Sequence, residues 1–263
     1  MIQRLDDAFN TTMNRRLLIS AAGAVALAVL AGGSLYVYAA YQRSPGRLAL
    51  AHGAGTPVAT TSAETTSADN PCTSAAGSAA SVWVIEPGSQ VGYRAREKFG
   101  ELESPHEAVA RTKEVTGFVV IQQASRPSTM SAGCVAADVR TLVSIDQLPP
   151  PLPDATGRDL HYGEMLDTLH HPFVVFRPEP IQLPATLTSG GSASVVLSGQ
   201  LEIRGKVRRV TGHADAMMSG REVQVAGSFA IRSTDFGVEM PRSIPTVDPN
   251  LTLEFLVRLT AAA

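Results

Sequence analysis

The chain lacks most of the signatures that announce a catalyst or a nucleic-acid binder. Of its 263 residues only Cys72 and Cys134 are cysteines, in no C-x-x-C pair, which excludes a thiolate zinc cage. It has no G-x-S-x-G elbow and no glycine loop ending in Lys-Ser or Lys-Thr, so two common hydrolase and nucleotide signatures are missing. Neither charge sign dominates: 22 Lys and Arg stand against 24 Asp and Glu. No basic stripe interleaved with aromatics marks a nucleic-acid partner.

One segment lacks charge altogether. From Leu17 to Tyr41 every residue is uncharged and most are apolar, and about 20 such residues in a helix cross a bilayer. Arg15 and Arg16 precede the run, and Tyr36, Tyr38 and Tyr41 gather at its far end, as interfacial aromatics do. The expectation is a cytoplasmic tail (1–16), a single transmembrane helix (17–41) and an extracytoplasmic remainder. A cleaved secretory signal, with Val37 and Ala39 as its small-residue site, is the alternative. The run exceeds the usual 7 to 15 residues of a signal core. Residues 42–81 are rich in Ala, Ser, Thr, Gly and Pro without apolar periodicity, and read as a flexible linker.

From residue 82 onward the pattern is alternation of period two, the mark of half-buried strands. Leu197, Gly199, Leu201 and Ile203 share one face; Val210, Gly212, Ala214 and Ala216 the next; Val223, Val225, Gly227, Phe229 and Ile231 the third. Short breaks at Gly205 and Gly220 imply hairpins. Earlier strands start at Trp83 and Val91 (facing with Tyr93 and Ala95), at Val115 (facing with Gly117, Val119 and Ile121), and over 132–144 and 173–183. A last one spans Leu251, Leu253, Phe255, Val257 and Leu259. The charged run 97–113 reads as a loop, and 158–169 as a short amphipathic helix with Leu160, Met165, Leu166 and Leu169 at near-helical spacing, stopped by Pro172. Successive antiparallel strands with one apolar face close best into a barrel, which removes the edges.

The motifs resemble the YceI-like family. WVIEPGSQVGYRARE (83–97), RDLHYGEMLDTLHHPFVVFRP (158–178), LSGQLEIRGKVRRVTG (197–212) and IRSTDFGVEMP (231–241) correspond to that family's opening strand, mid-domain helix, hairpin and closing segment. The resemblance implies an all-β, antiparallel, lipocalin-like β-barrel of about eight strands with one short helix, filling 82–263. It further implies a cavity for a polyisoprenoid chain. On the residues alone, a solid core and a hollow one fit equally. The expected lining is Tyr93, Ala95, Gly117, Val119, Ile121, Met165, Leu166, Val174, Phe176, Leu197, Leu201, Ala214, Val225, Phe229, Ile231, Phe236, Leu253 and Phe255, whose small members would leave space.

Around that interior, Arg204, Lys206, Arg208 and Arg209 crowd one hairpin turn and offer contacts for an anionic head group, although solvated charge at a strand turn is the commoner explanation of such a cluster. His161, Glu164, Asp167, His170 and His171 supply metal-ligand types, but no second cluster matches them, and no metal or other cofactor is expected beyond a bound isoprenoid lipid or quinone. Asp235 and Asp248 read as turn residues. If Val135, Ala137 and Val139 face inward, Cys134 faces out, where Cys72 can reach it to form a disulfide in an exported domain. The resulting expectation is a non-enzymatic, membrane-anchored, extracytoplasmic binder of an isoprenoid-like lipid such as a polyprenyl phosphate or a quinone. The alternatives are an interaction or envelope-stress module with a filled barrel and, third, an enzyme on such lipids, marked by a charged pair pointing into the cavity.

Overall fold

Period-two alternation becomes a closed wall. The computed structural model describes residues 44–50, 70–73, 81–100, 105–122, 127–148, 156–240 and 245–262; the segments read as tail and membrane helix lie outside them. The strands are β1 Ser81–Ile85, β2 Gln90–Lys98, β3 His106–Thr112, β4 Val115–Gln122, β5 Thr129–Asp138, β6 Val143–Ser144, β7 Phe173–Pro178, β8 Ile181–Gln182, β9 Ser192–Ile203, β10 Lys206–Ser219, β11 Glu222–Arg232, β12 Thr246–Val247 and β13 Asn250–Ala261. Two α-helices, α1 Thr156–Leu166 and α2 Ala185–Thr188, accompany them. Among the described residues no helix is long and apolar enough to cross a membrane.

The sheet runs β1-β4-β5-β7-β9-β10-β11-β13-β2-β3-β6, and the further pairing of β13 with β1 joins its ends. β13 is the seam. Its first half pairs with β2, Leu253 opposite Tyr93, and its last residues with β1, Leu259 opposite Ile85. β1 and β2 therefore form one wall broken at Pro87 and Gly88; β3 with β4 and β5 with β6 are broken in the same way. Counted as walls, the barrel has eight. The β9–β10 hairpin turns through Arg204 and Gly205, both with positive φ (52° and 68°), as a two-residue turn matched to strand twist requires.

Two expectations need correction. The run 97–113, read as a charged loop, contains β3, whose charges mislead because they leave by the outer face: Arg94 pairs there with Glu107 at 2.9 Å and Arg111 with Glu254 at 2.6 Å. The helix expected over 158–169 ends at Leu166, where Asp167 takes a positive φ of 51°. Leu160 and Leu169 are 75% and 91% exposed, so the stripe of the helix that borders the interior is Arg158, Tyr162 and Met165, spaced i, i+4, i+7, with the exposed His161 at its outer margin.

Two pieces of the stretch read as linker touch the barrel's outside. Arg94, its side chain 3% exposed, donates from Nη2 to the carbonyls of Pro45 (2.7 Å) and Gly46 (2.8 Å) while its Nε holds Glu254 at 2.8 Å. This explains why Glu254, on the outward face of β13, is buried. Further along, Cys72 and Cys134 are bonded, Cα to Cα 5.3 Å, across 62 residues of sequence. Their bridge packs on the outer face with Ala136 and Val175.

Closing a loop of that length stabilises by about 4 kcal/mol in the chain-entropy model. Urea unfolding of the protein with and without reductant should show a loss of that order, and Cys134→Ser should reproduce it; equal midpoints would mean that the bridge constrains nothing in the unfolded chain.

Candidate functional site

The inward faces of the walls do not meet in the middle. They enclose a cavity of about 590 Å³, within the range typical of small-molecule sites. Two apolar clusters flank it. One gathers Trp83, Val119, Ile121, Met130, Val223, Val257 and Leu259; the other gathers Leu201, Ile203, Val210, Phe229, Ile231, Phe236 and Val238, with Met165 and Leu166 of α1 against it.

The structure brings nearly all of the expected lining to this cavity: Tyr93, Ala95, Val119, Ile121, Met165, Leu166, Val174, Phe176, Leu197, Leu201, Val225, Phe229, Ile231, Phe236, Leu253 and Phe255 all border it. Gly117 and Ala214 do not. The notion that small residues leave the space is corrected at the same point. A methyl built on Gly199 would lie 2.6 Å from Phe176 Cζ, on Gly212 2.8 Å from Phe229 Cδ1, and on Gly227 2.8 Å from Phe255 Cζ. The glycines make room for aromatic rings from neighbouring strands. Those rings form one row, Phe176 to Phe229 at 5.0 Å and Phe229 to Phe255 at 5.3 Å between centroids. Ala214 pairs with Gly227 in the strip the rings cover. At Gly117 the carbonyl of Cys134 on β5 occupies the place of a side chain. The hollow lies beside the aromatic row rather than over the glycines.

One end of the cavity is polar, built from residues the alternation of β2 and β3 points inward. Glu97 continues the face of Tyr93 and Ala95, and His106 stands opposite it on β3. Arg158, on the first turn of α1, reaches both Glu97 (3.3 Å) and Asp146 (2.8 Å), and Asp146 also holds His106 Nε2 at 2.8 Å. The Val109 N–H donates to Asp146 Oδ1 at 2.8 Å. Tyr93 and Tyr162 meet edge to face, centroids 5.5 Å apart, and the Tyr162 hydroxyl lies 3.2 Å from that of Ser144.

The electrostatics follow from burial. Burial pushes the Glu97 carboxyl up, with Arg158 opposing it. Burial would raise Asp146 too, but hydrogen bonds from His106 and the Val109 N–H, together with Arg158, outweigh it and hold the carboxyl below its usual range. Burial works against the Arg158 charge, yet Glu97 and Asp146 hold the guanidinium more firmly protonated than usual. Both tyrosine hydroxyls are raised, chiefly by burial.

The residues expected at a head group are elsewhere. Residues 206–209 are all exposed on the projecting end of β10. Arg204 donates to the Gly237 carbonyl at 2.7 Å, Arg209 pairs with Glu179 at 2.7 Å, and Arg208 donates to the adjacent Val207 carbonyl. The Lys206 side chain packs beside Gly237. None of the four borders the main cavity; β10 pairs with β11 only from His213 onward, so residues 206–209 sit on a stretch that lacks that neighbour and face solvent. The cation that does border it, Arg158, belongs to a motif already evident, but its role was not. Of the histidine group, His161 pairs with Glu164 at 3.7 Å and His170 with Asp167 at 2.7 Å, all on the surface of α1 and the turn after it. Among the described residues no three His, Cys, Asp or Glu converge as a metal set.

A closed antiparallel barrel around an apolar hollow defines a lipocalin-like fold. Residues 83–259 match the YceI-like domain, and the chain belongs to that family. Among solved structures, a polyisoprenoid binding domain from Saccharophagus degradans implicated in plant cell wall breakdown is similar at 11% identity and TM-score 0.50, over 68% of this chain and 98% of that one. BcnA from Burkholderia cenocepacia is similar at 16% identity and TM-score 0.47, over 65% and 95%. No protein of curated function matches the chain.

Removing Asp146 leaves Arg158 short of one carboxylate and His106 of its partner, and breaking a buried pair costs about 3–5 kcal/mol. Because the Asp146 carboxyl is held below its usual range, its contribution is present at neutral pH and lost as the pH falls through that lowered value. Asp146→Asn should therefore be less stable by about 3 kcal/mol at neutral pH, and denaturant midpoints should converge towards wild type as the pH falls below the usual carboxylate range. A gap that stays constant with pH would contradict the ion-pair account.

Proposed function

We propose that this chain is a non-enzymatic lipid-binding protein whose barrel holds an isoprenoid-like lipid, a polyprenyl phosphate or a quinone. The observation that carries this reading is the cavity itself, about 590 Å³ with walls almost wholly apolar. Burying about five carbons per isoprene unit at ~0.8 kcal/mol each gains roughly 4 kcal/mol. Three or four units gain roughly 12–16 kcal/mol gross, enough to offset an association cost of several kcal/mol without any head-group contact. The similarity to a domain described as polyisoprenoid-binding supports the same class of ligand.

The uncharged run 17–41 supports attachment to the cell membrane as a single-pass protein, N-terminus cytoplasmic and barrel extracytoplasmic, in which the domain works beside the bilayer that supplies its ligand. The Cys72–Cys134 bond agrees with an oxidising compartment. The charged pair Glu97–Arg158 is also what an enzyme would place in such a cavity. Here Arg158 is engaged by a second carboxylate, Asp146, and that carboxylate by His106, which is a structural use of the arginine.

The test is binding of radiolabelled geranylgeraniol to the purified full-length protein and to Val225→Trp, which fills the cavity from β11. Overpacking costs about 1–3 kcal/mol, so the variant should remain folded by its unfolding midpoint while binding falls at least tenfold, and lipid recovered from wild type should be chemically unchanged. Equal binding by the two proteins, none by either, or altered lipid would overturn the reading.

A further inference from the structure

The polar end of the cavity has a charge balance that selects among lipid heads. We propose, resting on the lipid-binding reading above, that the preferred ligand has an uncharged polar head, a hydroxyl or a carbonyl, rather than a phosphate. The end in question is marked by His161, which borders the cavity with its side chain 74% exposed. This end of the cavity thus reaches the surface, and a head group would sit there.

What a head would meet there is one cation between two anions. Arg158 faces Glu97 at 3.3 Å and Asp146 at 2.8 Å. His106, the other base of the cluster, is engaged by Asp146 at 2.8 Å. Among the described residues no other Lys or Arg borders this cavity, the four bases of the β9–β10 hairpin included. A phosphate monoester carries about 1.5–2 negative charges at neutral pH. It would add to a site whose one guanidinium is already outnumbered, with the Glu97 carboxylate beside it, and like charges in a poorly solvated site repel strongly.

The same cluster leaves hydrogen-bonding capacity for a neutral group. Arg158 Nη2 and Glu97 Oε2 are buried and neither makes a hydrogen bond, although they lie 3.3 Å apart as an ion pair. The Glu97 side chain is 6% exposed and the residue borders the cavity. Both atoms are occluded from the cavity as they stand; once either side chain rotates out of the 3.3 Å contact, a ligand carbonyl can accept from Arg158 Nη2, or a ligand hydroxyl can donate to Glu97 Oε2. Buried polar atoms without partners are costly, so filling either position favours a head that brings no net charge.

The experiment compares two probes with one tail, geranylgeraniol and geranylgeranyl phosphate, competing for radiolabelled geranylgeraniol on the full-length protein in a single detergent buffer. Wild type and Glu97→Gln are measured side by side, so that partition into micelles cancels from the comparison. Wild type should prefer the alcohol at least tenfold, and Glu97→Gln, which removes the repelling carboxylate while keeping Arg158, should narrow that preference at least tenfold. Equal or tighter binding of the phosphate by wild type would overturn the inference while leaving the lipid-binding reading intact. An unchanged preference in Glu97→Gln, shown to be folded by its unfolding midpoint, would overturn the charge argument. Failure of both probes to bind wild type would overturn the lipid-binding reading itself.

Discussion

Closure of the sheet at β13 is the constraint on which the rest depends. That strand pairs with β11 along one edge and with β2 and then β1 along the other, Phe255 opposite Gly227 on one side and Val91 on the other. With the ring shut, every inward side chain shares one interior, and no edge strand of the main wall is left to recruit a neighbour. An open sheet with the same alternation would have to bury its apolar face on another layer. The closed one needs nothing but its own side chains, and eight walls leave slightly more room than those side chains fill.

What is done with the spare room depends on where the large residues stand. Phe176, Phe229 and Phe255 lie over glycines on adjacent strands and make a compact aromatic row. This packing spends the glycines on tight contact across the wall and leaves the remaining volume beside the row, toward α1. The helix then acts as the border of the cavity. Met165 and Leu166 face the apolar cluster, while Arg158, His161 and Tyr162 bring hydrogen-bonding groups of α1 to the cavity's border. Arg158 can sit there because Glu97 and Asp146 neutralise it, and the buried cluster ties α1 to β2 and to the segment after β6.

Much of this was legible in the chain. Period-two alternation in β9, β10, β11 and β13 gave their inward faces, and the outward parity of Cys134 gave the disulfide. Extending the alternation of Tyr93 and Ala95 by one step would also have found Glu97. Three things were not legible. β3 was hidden because Glu107 and Arg111 look like loop charges until Arg94 and Glu254 are brought opposite them. The destination of the glycine-made space depends on which ring crosses to which strand, a matter of register and not of composition. The cavity's cation was sought in the densest basic stretch, 204–209, yet residues 206–209 face solvent where β10 lacks β11 as a neighbour, and a single arginine on α1 reaches the interior instead.

The central claim is that the hollow is a lipid site and not a packing defect. Native mass spectrometry of the protein purified from its own cells, paired with organic extraction of the same sample, tests it most directly. The account predicts about one apolar molecule of isoprenoid mass per chain, released on denaturation and recovered in the organic phase. A bare polypeptide mass, with no apolar molecule in the extract and none taken up from added prenyl lipid, would contradict it.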